Sequence, residues 1–157
     1  MYGKEHVNVA LAAVVLVLAW PVGARGVAQG RTAIARSMRC TFPLNAVGTW
    51  KKDGPPDATV KPATLVLIFE AINTDEGTAR LRSGSVGSDI TARLSGGYLH
   101  LVQSFRSGPL YTTTVFDHET SGGKLKAVHS RHEYFTFPLP GVTSSPEQYY
   151  GECEVMN

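Results

Sequence analysis

The chain has no apolar run long enough to cross a membrane as a helix, only 2 cysteines in 157 residues, and little excess charge of either sign. Each shortage excludes something. A spanning helix needs about twenty consecutive apolar residues, and the longest run here covers residues 9–20. Two cysteines are too few for a disulfide-framework miniprotein or a four-ligand structural zinc site. A formal net charge of +2 is too small to mark a nucleic-acid surface. With 43% hydrophobic and 18% charged residues the chain is neither disordered nor polytopic. Catalytic spacings are missing too. There is no Gly-x-Ser-x-Gly elbow, no His-Glu-x-x-His, no Cys-x-x-Cys and no glycine-rich phosphate loop between a strand and a helix. Gly84-Ser85-Val86-Gly87 has the wrong spacing for an elbow and reads as a turn.

What is present begins with the N-terminus. Lys4 provides a short basic region, the apolar run at residues 9–20 has the length of a signal-peptide core, and Pro21 and Gly23 break it. Small residues at Ala24 and Ala28 offer cleavage positions. Residues 1–28 are read as a signal peptide, 29–38 as a leader and 39–157 as one domain, exported to the periplasm or secreted. An uncleaved anchor is the competing reading of the first segment. Export bears on the cysteines, because an isolated pair in an oxidising compartment usually bonds. Cys40 and Cys153 lie near the two ends of the exported chain. A bond closing so long a loop is worth about 4–5 kcal/mol in the chain-entropy model.

From Cys40 onward, glycine-containing turn clusters recur at residues 51–56, 74–77, 83–87, 95–97, 106–109 and 120–123. Between them no window sustains helical periodicity, and several alternate with period two, so the fold class is all-β. Strands are expected at residues 63–71, 78–82, 89–94, 98–105, 110–117, 124–134 and 149–155. With the Cys40 segment they number about eight. Sequential strands on short turns give an antiparallel up-and-down meander, and eight is the number at which a small barrel closes. A β-sandwich whose ends meet is the alternative.

The densest reactive cluster is His129-Ser130-Arg131-His132, inside a strand. Neighbouring strand residues face opposite ways, so His129 and His132 cannot chelate one metal, and no metal or cofactor is expected. Lys124 and Lys126 share parity with His132, and lysines are rarely buried. His129 and Arg131 are therefore assigned to the interior face, with Leu125 and Ala127. Gln103 has the parity of Leu99, Leu101 and Phe105, so it too is directed inward. His129, Arg131 and Gln103 are the candidate ligand-binding residues; a purely structural network is the other reading. The acids Glu70, Asp89, Asp117, Glu119 and Glu133 are scattered, and Asp117-His118-Glu119 reads as solvated.

Gly48-Thr49-Trp50 stands near the start of the domain. It resembles the Gly-x-Trp of lipocalins and their calycin relatives, in which the tryptophan closes one barrel end under an arginine from a late strand. The resemblance implies structural roles for Gly48 and Trp50, with Arg131 above the indole. The stretch from Cys40 to Cys153, with Ala-Val-His-Ser-Arg-His and the ending Gln-Tyr-Tyr-Gly-Glu-Cys, resembles small exported bacterial β-barrel proteins to which no activity is attached.

The expectation is a non-enzymatic exported barrel that holds a small, partly apolar ligand in its interior. An envelope interaction protein with a packed barrel, binding through the apolar loop at residues 134–146, is the alternative. A hydrolase using His129 or His132 as base ranks third. No nucleic-acid partner is expected, membrane contact only through an uncleaved signal, and nothing specifies an oligomeric state.

Overall fold

A computed structural model describes residues 30–50, 54–83, 86–134 and 145–156. Residues 1–28, expected from the sequence to be a signal peptide, lie outside the described residues. A single helical turn, α1 (Arg31–Ile34), precedes eight strands: β1 (Met38–Thr49), β2 (Asp57–Asn73), β3 (Thr78–Ser83), β4 (Val86–Ser95), β5 (Tyr98–Ser104), β6 (Leu110–Glu119), β7 (Leu125–His132) and β8 (Glu147–Val155). Each strand pairs antiparallel with its sequence neighbour, and β8 pairs back with β1, so the meander closes into a barrel.

The turns carry the residues that tight reversals demand. Gly96 and Gly97, both at positive φ, form the two-residue link between Ser95 and Tyr98, the geometry that suits a right-twisted hairpin. At the β2–β3 turn, Asn73 accepts the backbone N–H groups of Asp75 and Glu76 on its side-chain oxygen.

Closure happens along the β1–β8 seam. Cys40 and Cys153 are directly opposite in register, their Cα atoms 4.0 Å apart, and they are disulfide-bonded. The seam also contains a bulge in β1 between Thr41 and Leu44. Gly151 faces that bulge, where a Cβ would meet the Thr41 carbonyl and lie 2.8 Å from Phe42 Cα. Only a residue without a side chain lets β8 approach there.

Period two divides the barrel into an interior and an outer face. Met38, Cys40, Phe42, Phe69, Ala79, Ala92, Leu99, Leu101, Val115, Leu125 and Ala127 form one continuous buried core. Met38, Phe69, Leu99, Val115 and Leu125 gather at the end from which β1 leaves and to which β8 returns. There the leader does more than lead in. Thr32 and Ala35 are fully buried, Arg31 pairs with Glu119 at 2.7 Å and donates to the Gly123 carbonyl at 2.8 Å, and Arg36 and Ser37 carbonyls accept from Ile72 and Met156. Residues 31–37 thus form the floor of the barrel, a role that their lack of strand periodicity does not advertise.

The strands differ from expectation mainly at one point. β2 begins at Asp57, six residues before the apolar stretch, and runs through Pro62. Proline is tolerated because, among the described residues, β2 is paired on only one side over that length.

Candidate functional site

The interior changes character toward the opposite end, the mouth. Two adjacent rungs of the register cross it. In the first, Leu101 of β5 stands opposite Thr113, Thr113 opposite His129, His129 opposite Tyr149, and Tyr149 opposite Asn45. In the second, the order is Gln103, Tyr111, Arg131, Glu147 and Val47. Glu133, two residues beyond Arg131, keeps the same parity and is 6% exposed. A hydrophobic interior is thus continued by a polar one, using the same strands and the same pleat.

His129 is 4% exposed and sits among the rings of Phe42, Tyr111 and Tyr149, with centroids 5.9, 6.1 and 5.8 Å away. Arg131 Nε donates to His129 Nε2 at 3.3 Å. That nitrogen must therefore hold a lone pair, and Nδ1 carries the hydrogen, donating to Thr113 Oγ1 at 2.8 Å. The imidazole is neutral: burial first, and the neighbouring Arg131 charge second, lower its pKa from 6.5 to about 4. Both ring nitrogens are engaged, so His129 has no lone pair to offer as a general base.

Arg131 lies between two tyrosine rings, 5.4 Å from the centroid of Tyr111 and 5.1 Å from that of Tyr149. Each contact is a cation–π pair strengthened by partial burial. Glu147 lies 3.9 Å from Arg131 Nη1, accepts the Tyr149 hydroxyl on Oε2 and accepts Asn45 Nδ2 on Oε1 at 3.2 Å. Tyr111 donates its hydroxyl to Glu133 Oε2 at 2.5 Å. Burial, then the bond to a carboxylate, raise both tyrosines from 10.0 to about 12, so both stay neutral donors. Among the described residues, Asn45 Oδ1 and Glu133 Oε1 are buried and find no hydrogen-bond donor. An acceptor left unmet costs stability.

The three residues singled out from sequence come together. Gln103, His129 and Arg131 line one pocket of about 390 Å³, together with Tyr111, Ser88 and Arg82 on its polar side and Leu67 and Leu81 on its apolar side. Parity also holds on β7: His129 is buried and Arg131 partly so, whereas Lys126 and His132 are exposed on the outer face. Trp50 and Gly48 lie elsewhere on the rim. Trp50 is 58% exposed and meets Tyr134 edge-on at 5.9 Å, and Gly48 N–H donates to the Pro146 carbonyl at 3.0 Å. Arg131 finds its aromatic partners in the two tyrosines rather than in Trp50, which the calycin resemblance had implied. Of the apolar loop, residues 135–144 lie outside the described residues.

Sequence reasoning missed Tyr111, Tyr149, Glu133, Glu147, Thr113 and Asn45. Parity was the available signal. Glu133 follows His129 and Arg131 at steps of two, and Glu147 and Tyr149 share parity with the buried Cys153.

Fold and site together define a closed eight-stranded antiparallel barrel with an apolar floor and a polar, tyrosine-lined mouth. No family model, curated protein or solved structure matches this chain.

Proposed function

We propose that this is an exported, non-enzymatic β-barrel that holds a small, partly apolar ligand in its mouth. The observation that carries the reading is the pocket of about 390 Å³ in which Leu67 and Leu81 face Gln103, Tyr111, His129 and Arg131. Eight-stranded barrels either fill their interior or hold one ligand, and a pocket with apolar walls and a few convergent polar groups is the usual form of a binding site. An apolar body would rest on the two leucines and a polar end would face the Gln103 amide. Export is supported by the Cys40–Cys153 disulfide, together with Lys4 and the apolar run at residues 9–20.

Titration of the purified protein with an anilinonaphthalene dye tests this. One saturable site per chain is expected, and Leu81→Ser should weaken it about tenfold, the scale of removing one leucine side chain from the apolar wall. Absence of saturable binding, or binding that Leu81→Ser leaves unchanged, overturns the reading.

A further inference from the structure

The wall of the barrel is uneven beside the pocket. β2 pairs with β1 from Asp57 to Phe69, but with β3 only from Ile68 to Asn73. Among the described residues, no strand pairs the second edge of β2 over residues 57–67. β4 is short-paired in the same way, joining β5 only from Thr91 onward. The pocket opens at this notch, lined by Val66, Leu67 and Ile68 on one side and by Leu81, Arg82 and Ser88 on the other.

An open edge presents a row of backbone donors and acceptors, and proteins usually blunt such edges with charges or proline. Here the first half is blunted by Asp57, Lys61 and Pro62. Protection stops at residue 62. Residues 63–67 (Ala-Thr-Leu-Val-Leu) carry neither charge nor proline, and Val66 is 41% exposed. The bare half of the edge is the half that borders the pocket.

We infer that the mouth pocket serves an extended peptide, which adds as a strand along residues 63–67 of β2 and sends one aromatic side chain into the space between Leu81 and Gln103. This rests on reading the pocket as a ligand site, and it names the ligand class. A strand satisfies alternating donors and acceptors along an edge, which a compact small molecule does not. Alternate residues of an added strand point to one face, so one side chain enters while its neighbours stay out. The entering group is uncharged, because the nearby cations are already paired, Arg82 with Glu70 at 3.2 Å and Arg131 with Glu147. Tyrosine fits best, its ring against Leu67 and Leu81 and its hydroxyl toward Gln103.

The test uses a labelled, capped heptapeptide, Thr-Val-Thr-Tyr-Thr-Val-Thr, titrated into the purified protein by fluorescence anisotropy, with p-cresol as the free side-chain probe. Saturable peptide binding is expected. It should weaken at least tenfold when alternate peptide nitrogens are methylated, when alanine replaces the tyrosine, and in Thr64→Lys, whose exposed side chain stands on this edge outside the pocket lining. The variant should keep its melting temperature and its p-cresol binding; Thr64→Glu replaces it if it does not fold. Binding of p-cresol without binding of the peptide overturns the inference and leaves the ligand site standing. Binding of neither removes both. Peptide binding indifferent to methylation and to Thr64→Lys also overturns it, as does light scattering that shows two copies of the chain paired along this edge.

Discussion

At the floor of the barrel, Met38, Phe69, Ile72, Leu99, Val115 and Leu125 are almost completely buried and carry no hydrogen-bonding nitrogen or oxygen in their side chains. At the mouth, the same strands turn Tyr111, Arg131, Glu133, Glu147 and Tyr149 inward, with His129 and Thr113 at the boundary. Floor residues gain from leaving water, roughly 1.5–3 kcal/mol for each large apolar side chain. Mouth residues lose hydration and recover it only through partners, and two of the buried acceptors there have none among the described residues. Leucines at the inward positions of β7 and β8 would satisfy the pleat at less cost. A chain that keeps a cation, two carboxylates and two tyrosine hydroxyls there divides an apolar half that holds the fold from a polar half, the one proposed above for binding.

The contrast can be broken most easily at the floor. Phe69→Ala should cost about 4 kcal/mol in urea unfolding, the scale of a deleted core aromatic, and leave dye binding at the mouth within twofold once the protein is folded. A loss below about 1 kcal/mol would show that the floor is not the main source of stability.

A somewhat smaller effect follows from His129. Its pKa is about 4 in the folded chain and 6.5 as the ordinary value. As pH falls through 6.5 the unfolded chain takes up this proton first, so stability from this residue is intact above 6.5, declines toward 4 and levels below it. The total is about 3 kcal/mol. His129→Gln should remove that share of the acid sensitivity when urea midpoints are compared at pH 7 and pH 4.5; equal pH slopes in variant and parent would show that the imidazole is not held neutral.

The smallest effect is expected at Arg131. Lysine keeps the charge but lacks the planar group that stacks between Tyr111 and Tyr149. Arg131→Lys should lower stability by about 1–2 kcal/mol, the scale of the two cation–π pairs that the guanidinium makes, measurable as a fall of a few degrees in melting temperature. An unchanged melting temperature would mean that the tyrosine sandwich contributes little, and would sharpen the division between the two halves.

The barrel was legible because turn chemistry and alternation are local. Gly96-Gly97 and the cluster at residues 74–77 punctuate the chain where the hairpins turn, and two lysines at residues 124 and 126 fix which way β7 faces. The same lysine argument carried His129 and Arg131 to the interior. The rest of the mouth was not legible because it is assembled across strands. Glu147 joins Arg131 through the β7–β8 register, and Tyr111 joins it through the β6–β7 register. Pairing register is a long-range quantity, set by bulges such as the one at Thr41 and Leu44, and no local pattern states it. The floor helix escaped for a related reason: a four-residue turn has too little periodicity to register, and Thr32 and Ala35 are buried by tertiary packing alone.

The seam has a geometric consequence. β1 leaves the floor and β8 returns to it, with Met156 bonded to Ser37 and Cys40 to Cys153. Both ends of the described chain therefore lie at the pole opposite the mouth, Gly30 against Asp117 of β6 and Met156 beside Ser37 at the seam. Anything attached at either end, whether a fusion partner, a resin or a lipid surface, meets the blunt pole and leaves the aperture directed outward. Immobilisation through a tag after Met156 should leave the mouth accessible, and a fluorophore pair at residues 37 and 156 would report separation of the seam from the pole opposite the mouth.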